Sequence, residues 1–143
     1  MHEHIGHILS SNEIHKVPQS LSAIECAKLM ANLHIGALIV TNEQDNKIIG
    51  LISERDITRF LAISSGNIMA IQAKDIVFED VAYLDINDPI EKAMHIINKM
   101  RRRHVLINEN GKLIGILSIG DIMKHIIEDK EQTITHLENY IRG

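Results

Sequence analysis

The chain has 143 residues, enough for one compact domain or two small fused halves. Its formal net charge of −4 disfavours a general nucleic-acid-binding protein, and the absence of tryptophan leaves a core of Ile, Leu, Val, Met and Ala. No apolar run approaches the roughly 20 residues of a membrane span, and no signal peptide opens the chain, so we expect a soluble, cytoplasmic protein without a membrane partner.

The N-terminal segment, residues 1–13, carries three histidines, His2, His4 and His7. Their spacing suits a transition metal, because neutral imidazole is a good ligand. The segment is terminal and has no nearby cysteine or aspartate, so incidental surface histidines are the alternative, and we predict no metal site. The helical spacing of Ile5, Ile8 and Leu9 predicts a short helix that packs on the body of the protein.

Residues 14–63 form the first predicted structural repeat. Its elements are a short strand at 13–18, a helix capped by Ser20 or Ser22, strands at 37–40 and 48–52, and a helix over 54–62. The first helix is predicted to bury one apolar face. The residues of that face are Ile24, Ala27, Met30 and Ala31. Cys26, the single cysteine, lies in the same helix and is expected to be buried rather than reactive.

Residues 64–79 are the predicted link, which starts with the helix-breaking Ser-Ser-Gly-Asn run and is packed through Ile68, Met69 and Ile71. Residues 80–128 form the second predicted repeat. A strand over 82–86 precedes a helix with Asp88 as its cap, Pro89 at its first position and Glu91 closing a capping box.

Two further strands of the second repeat, 105–107 and 113–117, are joined through Asn110-Gly111, a pair that favours a type I′ turn. The rest of the chain from Gly120 is predicted to be helical, with four apolar residues facing inward. These four are Ile122, Met123, Ile126 and Ile127. The tail, residues 129–143, continues a stripe and either crosses a dimer partner or lies on its own body. The stripe residues of the tail are Ile134, Leu137 and Ile141.

An internal repeat relates the two halves. The stretch Gly50-Leu-Ile-Ser-Glu-Arg-Asp56 returns 65 residues later as Gly115-Ile-Leu-Ser-Ile-Gly-Asp121, and each copy opens a helix. The match extends back to the strands at 37–40 and 104–107, and to the helices at 26–30 and 93–97. Each half is therefore strand, helix, two strands, helix. Such a half buries too little surface alone, so the two halves must share a core.

The two Gly-x-x-Ser-x-x-Asp corners, the Ala-Met-His-Ile-Ile helix and the Arg-His-Val-Leu-Ile strand resemble the CBS domains. Over about residues 14–127 the chain resembles their tandem pair, the Bateman module, in its stand-alone bacterial form. The resemblance implies an α/β (α+β) fold in which two β-α-β-β-α repeats pack sheet to sheet with pseudo-twofold symmetry. It also implies two ligand clefts between the halves and a homodimer.

Each corner has two readings. Ser53 and Asp56, like Ser118 and Asp121, fit a capping box that only closes a helix. The same geometry also fits a ligand site, because a helix N-terminus attracts phosphate, the hydroxyl adds a donor, and the carboxylate can accept from a ribose diol. The resemblance implies that the serine lies near the phosphate, that the aspartate binds the ribose, and that adenine lies between apolar strand residues.

The cations near the corners are unequal. Arg55 lies inside the first corner, whereas Gly120 takes its place in the second. Arg103 and His104 precede the second hairpin, where the resemblance implies contact with a phosphate. Lys99 and Arg101 fit a solvated helix end instead. Four short-strand residues are candidates to flank the base, with main-chain groups that could bind the adenine edge. These are Lys16, Val17, Tyr83 and Leu84.

The resulting hypothesis is a sensor that binds an adenine nucleotide such as AMP, ADP, ATP or NAD(H) as a regulatory ligand, requires no cofactor, and signals to a separate effector protein whose identity is unknown. S-adenosylmethionine and cyclic dinucleotides stay open as ligands. The alternative is a non-catalytic structural or interaction module with vestigial clefts. RNA binding is disfavoured because no aromatic residue interleaves with the basic run at 99–104. We predict no enzyme activity, because no histidine stands at triad spacing.

Overall fold

The computed structural model describes residues 3–9, 14–64 and 67–142, which fall into two compact units. One unit is Ile14–Val81. The other joins the described residues of the N-terminal segment to those of Ala82–Gly143. Each unit holds one three-stranded sheet, so the predicted mixed α/β architecture of two repeats is confirmed.

The first unit is built on the sheet β1-β2-β3, in which β1 runs parallel to β2 and β2 runs antiparallel to β3. Helices α1 and α2 follow the strand–helix–strand–strand–helix order. The elements are β1 (Lys16–Pro18), α1 (Ala23–Leu33), β2 (Ala37–Thr41), β3 (Ile48–Ser53), α2 (Glu54–Ile63), a 3-10 turn (Ile68–Ala70) and α3 (Ala73–Ile76). Leu38, Val40 and Ile52 of the sheet form a core with Cys26 and Met30 of α1.

The second unit repeats this topology with the sheet β4-β5-β6. Its elements are β4 (Tyr83–Asp85), α4 (Ile90–Met100), β5 (His104–Glu109), β6 (Lys112–Ser118) and α5 (Ile119–Arg142). The β5–β6 turn has positive φ at Asn110 (52°) and Gly111 (78°), which confirms the predicted type I′ turn. The parallel β4–β5 and antiparallel β5–β6 pairings match those of the first unit.

The N-terminal segment packs on the second unit through a 3-10 turn, Ile5–His7. Ile5 is fully buried and Ile8 is nearly so, as predicted for an apolar face. The Glu3 carbonyl accepts from the N–H of Ile90 at 3.0 Å. Ile90 is the first residue of α4, whose initial N–H groups have no partner inside the helix. The segment therefore supplies both core and a cap to the second unit.

The buried face of α1 differs from the predicted one. The buried face of α1 is Ala23, Cys26 and Met30, whereas Ala27 and Ala31 are exposed. Alanine fits either face of a helix, so the apolar pattern alone did not choose between the two faces. Ser22 is the cap, and its side chain accepts from the Glu25 N–H at 3.1 Å.

Asp88 does not cap α4. The helix starts one residue later than predicted, with Pro89 in the capping position and no side-chain cap. Asp88 Oδ2 instead accepts from the Asp85 N–H at 2.9 Å and holds the turn that follows β4. An aspartate at such a position can either cap the helix or close the preceding turn, because its short side chain can accept from any backbone N–H within reach.

The predicted link is packed, as expected, but not through all three residues. Ile68 and Ile71 pack against the first core, whereas Met69 is 70% exposed. Further on, Phe78 pairs with Leu51, with bonds of 3.0 Å and 2.7 Å between their backbones. Gly50 permits this approach, because a Cβ there would stand 2.1 Å from the Phe78 carbonyl oxygen.

The inward face of α5 is narrower than predicted. Ile122 is buried and Ile126 packs against the second core, but Met123 and Ile127 are each 51% exposed. From residue 128 to 142 every side chain of α5 is exposed. The tail therefore does not lie on its own body. None of the described helices combines the length and apolar character needed to cross a membrane.

Candidate functional site

The first corner is the junction of β3 and α2, and it is closed by Ser53 and Asp56. Ser53 caps α2, and its Oγ accepts from the Asp56 N–H at 3.1 Å. Asp56 Oδ2 accepts both the Ser53 N–H at 3.1 Å and the Ser53 hydroxyl at 2.8 Å. The reciprocal capping box predicted from the sequence is therefore present.

The second corner, between β6 and α5, has the same geometry. Asp121 Oδ2 accepts from the Ser118 N–H at 2.9 Å, and Ser118 Oγ accepts from the Asp121 N–H at 3.1 Å. In both corners the serine and the aspartate are half-buried. The sequence repeat is therefore also a geometric repeat, and each corner presents a hydroxyl and a carboxylate at the N-terminus of a helix.

A backbone hydrogen bond that sequence reasoning missed ties each corner to the middle strand of its sheet. The first N–H of α2, at Glu54, donates to the Gly36 carbonyl at 3.0 Å. The first N–H of α5, at Ile119, donates to the Arg103 carbonyl at 2.9 Å. Backbone groups carry no residue-type signal, so only the alignment of the two repeats could have indicated this bond.

These bonds leave the second helical N–H of each corner, at Arg55 and Gly120, without an acceptor among the described residues. The first N–H goes to the neighbouring carbonyl and the third goes to the serine hydroxyl. The open N–H lies at the positive end of the helix dipole, beside the serine. This arrangement suits an anion, and a phosphate oxygen is the simplest group to accept from it.

The predicted cations lie at the corners, one arginine at each. The side chain of Arg55, on the second residue of α2, and that of Arg103, just before β5, are both exposed. His104 is half-buried and stands directly opposite Ser118 in the β5–β6 register. The equivalent residue of the first sheet is Ala37, opposite Ser53, so the first corner has no counterpart of His104.

The four candidates for flanking a base alternate along their strands between buried and exposed positions. Val17 and Leu84 are 3% and 5% exposed and belong to the cores of their units. Lys16 and Tyr83 are the exposed neighbours, with Tyr83 at 45%.

The hydrogen bonds of the edge strands give the main-chain orientation of these residues. Ile39 N–H donates to His15 and Leu106 N–H donates to Ala82, each at 2.9 Å, across registers that pair Lys16 with Ile39 and Tyr83 with Leu106. Because alternate residues of a strand direct their backbone groups to opposite sides, the N–H and C=O of Lys16 and Tyr83 point away from the sheet. Lys16 and Tyr83 therefore carry the backbone N–H and C=O groups that a ligand could reach at these strands.

A third capping box lies away from the corners. Asp75 Oδ2 accepts from the Gln72 N–H at 2.9 Å at the start of the short helix α3. This box shares the carboxylate geometry of the corners, but it follows a link rather than a strand. It shows that the geometry alone only closes a helix, and it provides a matched control for the corner aspartates.

The N-terminal histidines do not assemble a metal site in the described part of the chain. His4 and His7 have ring centroids 5.5 Å apart, and His4 Nδ1 donates to the Asn87 carbonyl at 2.8 Å. No group of three His, Cys, Asp or Glu side chains comes together among the described residues. His2, the third predicted histidine, lies outside them.

Comparison with known proteins places these corners in a family. The sequence matches the CBS domain over residues 5–63 and again over 73–128. The mitochondrial CBS domain-containing protein CBSX3 of Arabidopsis thaliana is 25% identical over 122 residues, which are 83% of this chain and 59% of that relative. The chain thus spans less than two thirds of the length of this relative.

Two solved structures share the fold over nearly their whole length. The CBS domain protein NE2398 superposes with a TM-score of 0.79 at 34% identity, covering 87% of this chain and 98% of its own. The CBS domain protein PAE2072 from Pyrobaculum aerophilum, complexed with AMP, superposes with a TM-score of 0.71 at 25% identity, covering 83% and 89%.

Proposed function

Since the chain belongs to the CBS-domain family, we propose that it is a non-catalytic regulatory protein that binds an adenine nucleotide at its corners and signals to a separate effector protein. The observation that carries the proposal is the corner itself, which is built twice with an open helical N–H beside a serine and an aspartate. An open N–H is usual at a capped helix, and α1 also leaves one at Ile24, so the corners differ from α1 in pairing that donor with an aspartate that closes a capping box.

The phosphate would bind at the helix N-terminus. The open N–H of Arg55 or Gly120 and the neighbouring serine hydroxyl offer donors to its oxygens, and the helix dipole favours its charge. One exposed arginine per corner, Arg55 in the first and Arg103 in the second, adds a charge-assisted contact. Because the two arginines come from different elements, we expect the corners to differ in affinity.

The nucleoside would be held by the aspartate and by main-chain groups. In the first corner both bonds of Asp56 within the capping box use Oδ2, so Oδ1 can accept from the ribose diol. The outward N–H and C=O of Lys16 and Tyr83 match the donor and acceptor that an adenine edge requires. The AMP complex of the similar Pyrobaculum protein supports an adenine nucleotide over other nucleotides.

The test is a thermal-shift and calorimetric panel of AMP, ADP, ATP, NAD, S-adenosylmethionine and GMP on the purified protein. A ligand at a hundredfold excess over its Kd stabilises the folded state by about 2.7 kcal/mol. We expect an adenine ligand to raise the melting temperature and GMP to leave it unchanged. Asp56→Asn or Asp121→Asn should remove the shift that comes from its own corner.

Asp75→Asn is the matched control, because it alters a capping box of the same geometry outside the corners. It should lower the stability of the protein and leave the ligand-induced shift intact. An absence of any shift with all six ligands would contradict the sensor and favour an interaction module with vestigial sites. A shift that Asp75→Asn reduces as much as Asp56→Asn would mean that the variants act through stability alone.

A further inference from the structure

The tail of α5 carries an apolar seam that the chain itself does not cover. From Met123 onward, the large apolar residues of α5 are at least half exposed, except Ile126, which packs against the core. The seam consists of Met123 (51%), Ile127 (51%), Ile134 (55%), Leu137 (58%) and Ile141 (82%). Scattered exposed apolar residues are ordinary, but five on one helix face mark a contact surface.

The spacing of the seam is that of a coiled coil. Successive members are 4, 7, 3 and 4 residues apart, and the gap of seven contains Lys130 at the missing position. In heptad terms Ile127, Ile134 and Ile141 occupy a positions, and Met123, Lys130 and Leu137 occupy d positions. The seam spans about 27 Å of helix at 1.5 Å per residue.

The segment also needs a partner to stay helical. An isolated helix of about 15 residues is marginal in water, and most helical stability in proteins comes from packing of an apolar face. Residues 133–135 are Thr-Ile-Thr, whose β-branched side chains lower helix propensity further. All side chains from 128 to 142 are exposed, so neither propensity nor intrachain packing accounts for the helix.

We propose that a second copy of this chain covers the seam as an antiparallel two-helix pair, with its twofold axis at Gln132. The axis pairs residues that lie equally far from Gln132 on opposite sides of it, so that their numbers add to 264. Met123 therefore faces Ile141 of the partner subunit, and Ile127 faces the partner's Leu137. Lys130 faces the partner's Ile134, where its stem packs and its ammonium reaches water. The five seam residues and Lys130 are therefore all matched in this one register.

The charges choose this orientation over the parallel one. In the antiparallel register Lys124, beside the seam, approaches Glu138 of the partner subunit, and the symmetry repeats the pair. The same spacing brings Glu131 near the partner's Glu131 once, at the axis, so two attractive pairs outweigh one repulsive pair. In a parallel pair Lys130 would instead face the partner's Lys130 across the seam, which places two like charges together. Electrostatic complementarity of this kind sets register and partner choice more than it sets affinity.

Disulfide trapping tests the register directly. Ile127→Cys and Leu137→Cys are exposed single substitutions that should not disturb a core. In the proposed pair the two positions face each other, whereas either one lies about 15 Å along the axis from its own copy in the partner. Disulfides need Cα atoms within roughly 7 Å. Mixing the two variants under mild oxidation should therefore give the mixed dimer and little of either self-linked dimer.

Gln132→Cys is the control, because it lies at the axis but on the outer side of the helix and should not crosslink. The wild type, whose Cys26 is buried, should not crosslink either. Self-linked dimers from Ile127→Cys alone would overturn the antiparallel register. A monomer in sedimentation at all concentrations, or a dimer that gives no crosslink when the two variants are mixed, would overturn the seam as a self-association surface. These outcomes do not depend on whether a nucleotide binds.

Discussion

The carboxylate of Asp56 accepts both the N–H and the hydroxyl of Ser53 through one oxygen, while Ser53 accepts the N–H of Asp56 in return. The same two side chains thus close α2 and are the ones that we propose for binding a ligand. Any substitution at a corner will change the free energy of unfolding as well as affinity. A useful experiment therefore needs a control variant that lowers the free energy of unfolding by a similar amount and leaves ligand affinity unchanged.

Ser53→Ala is expected to cost about 1 kcal/mol of folding free energy, because the N-cap acceptor of α2 is lost. Ser22→Ala removes an equivalent acceptor from α1, which bonds the Glu25 N–H at 3.1 Å, far in sequence from either corner motif. Denaturant unfolding should show similar losses for both variants. Calorimetry should show weaker nucleotide binding for Ser53→Ala only. Equal affinity in the two variants would argue that Ser53 is only a cap.

Removal of the corner arginines should separate phosphate binding from nucleoside binding. Arg55→Ala and Arg103→Ala each delete an exposed guanidinium and leave the backbone N–H groups in place. We expect each to weaken AMP binding at its corner about tenfold, the loss of a charge-assisted hydrogen bond, and to leave adenosine binding unchanged. Lys99→Ala, an exposed cation at the end of α4, is the control. A uniform loss for AMP and adenosine would contradict a phosphate contact.

Much of this architecture followed from the repeat. The paired Gly-x-x-Ser-x-x-Asp stretches indicated both corners, because a capping box is a local sequence pattern that can be identified without knowing the tertiary structure. The same reasoning did not decide which face of α1 is buried, since Ala27 and Ala31 fit water or core equally. It also expected Met123 and Ile127 to face inward, because an apolar stripe does not distinguish an internal core from an intersubunit seam.

The choice among Lys16, Val17, Tyr83 and Leu84 also lay beyond sequence reasoning. The sequence indicated two short strands, but it did not show which alternate residues direct their backbone groups away from the sheet. The strand pairing shows that these residues are Lys16 and Tyr83. That alternation depends on which neighbouring strand each residue pairs with, and pairing is a property of the assembled sheet. Local patterns thus located the strands, and the tertiary structure oriented them.

The glycines of the repeat should differ in their tolerance of a side chain. Gly50→Ala places a Cβ 2.1 Å from the Phe78 carbonyl oxygen, so the Leu51–Phe78 backbone pair must move. We expect a loss of roughly 1–3 kcal/mol, as is typical of overpacked sites. Gly120→Ala is the control, because its Cβ would meet only Ser118 Oγ at 3.5 Å among the described residues. Denaturant titration should show little change for Gly120→Ala. A similar loss in both variants would contradict the close approach of Phe78.

A charge exchange should distinguish the antiparallel seam from a parallel pair of the same helices. Lys124→Glu sets a glutamate against Glu138 of the partner subunit in both symmetry-related pairs, so self-association should weaken several-fold at low salt. Adding Glu138→Lys to the same chain restores opposite charges across the seam, and the dimer dissociation constant should return towards that of the wild type. Sedimentation equilibrium at low and high salt measures both effects. In a parallel pair these two residues do not meet, so the second substitution would not rescue the first. Rescue that disappears at high salt would therefore support the proposed register, whereas additive losses would contradict it.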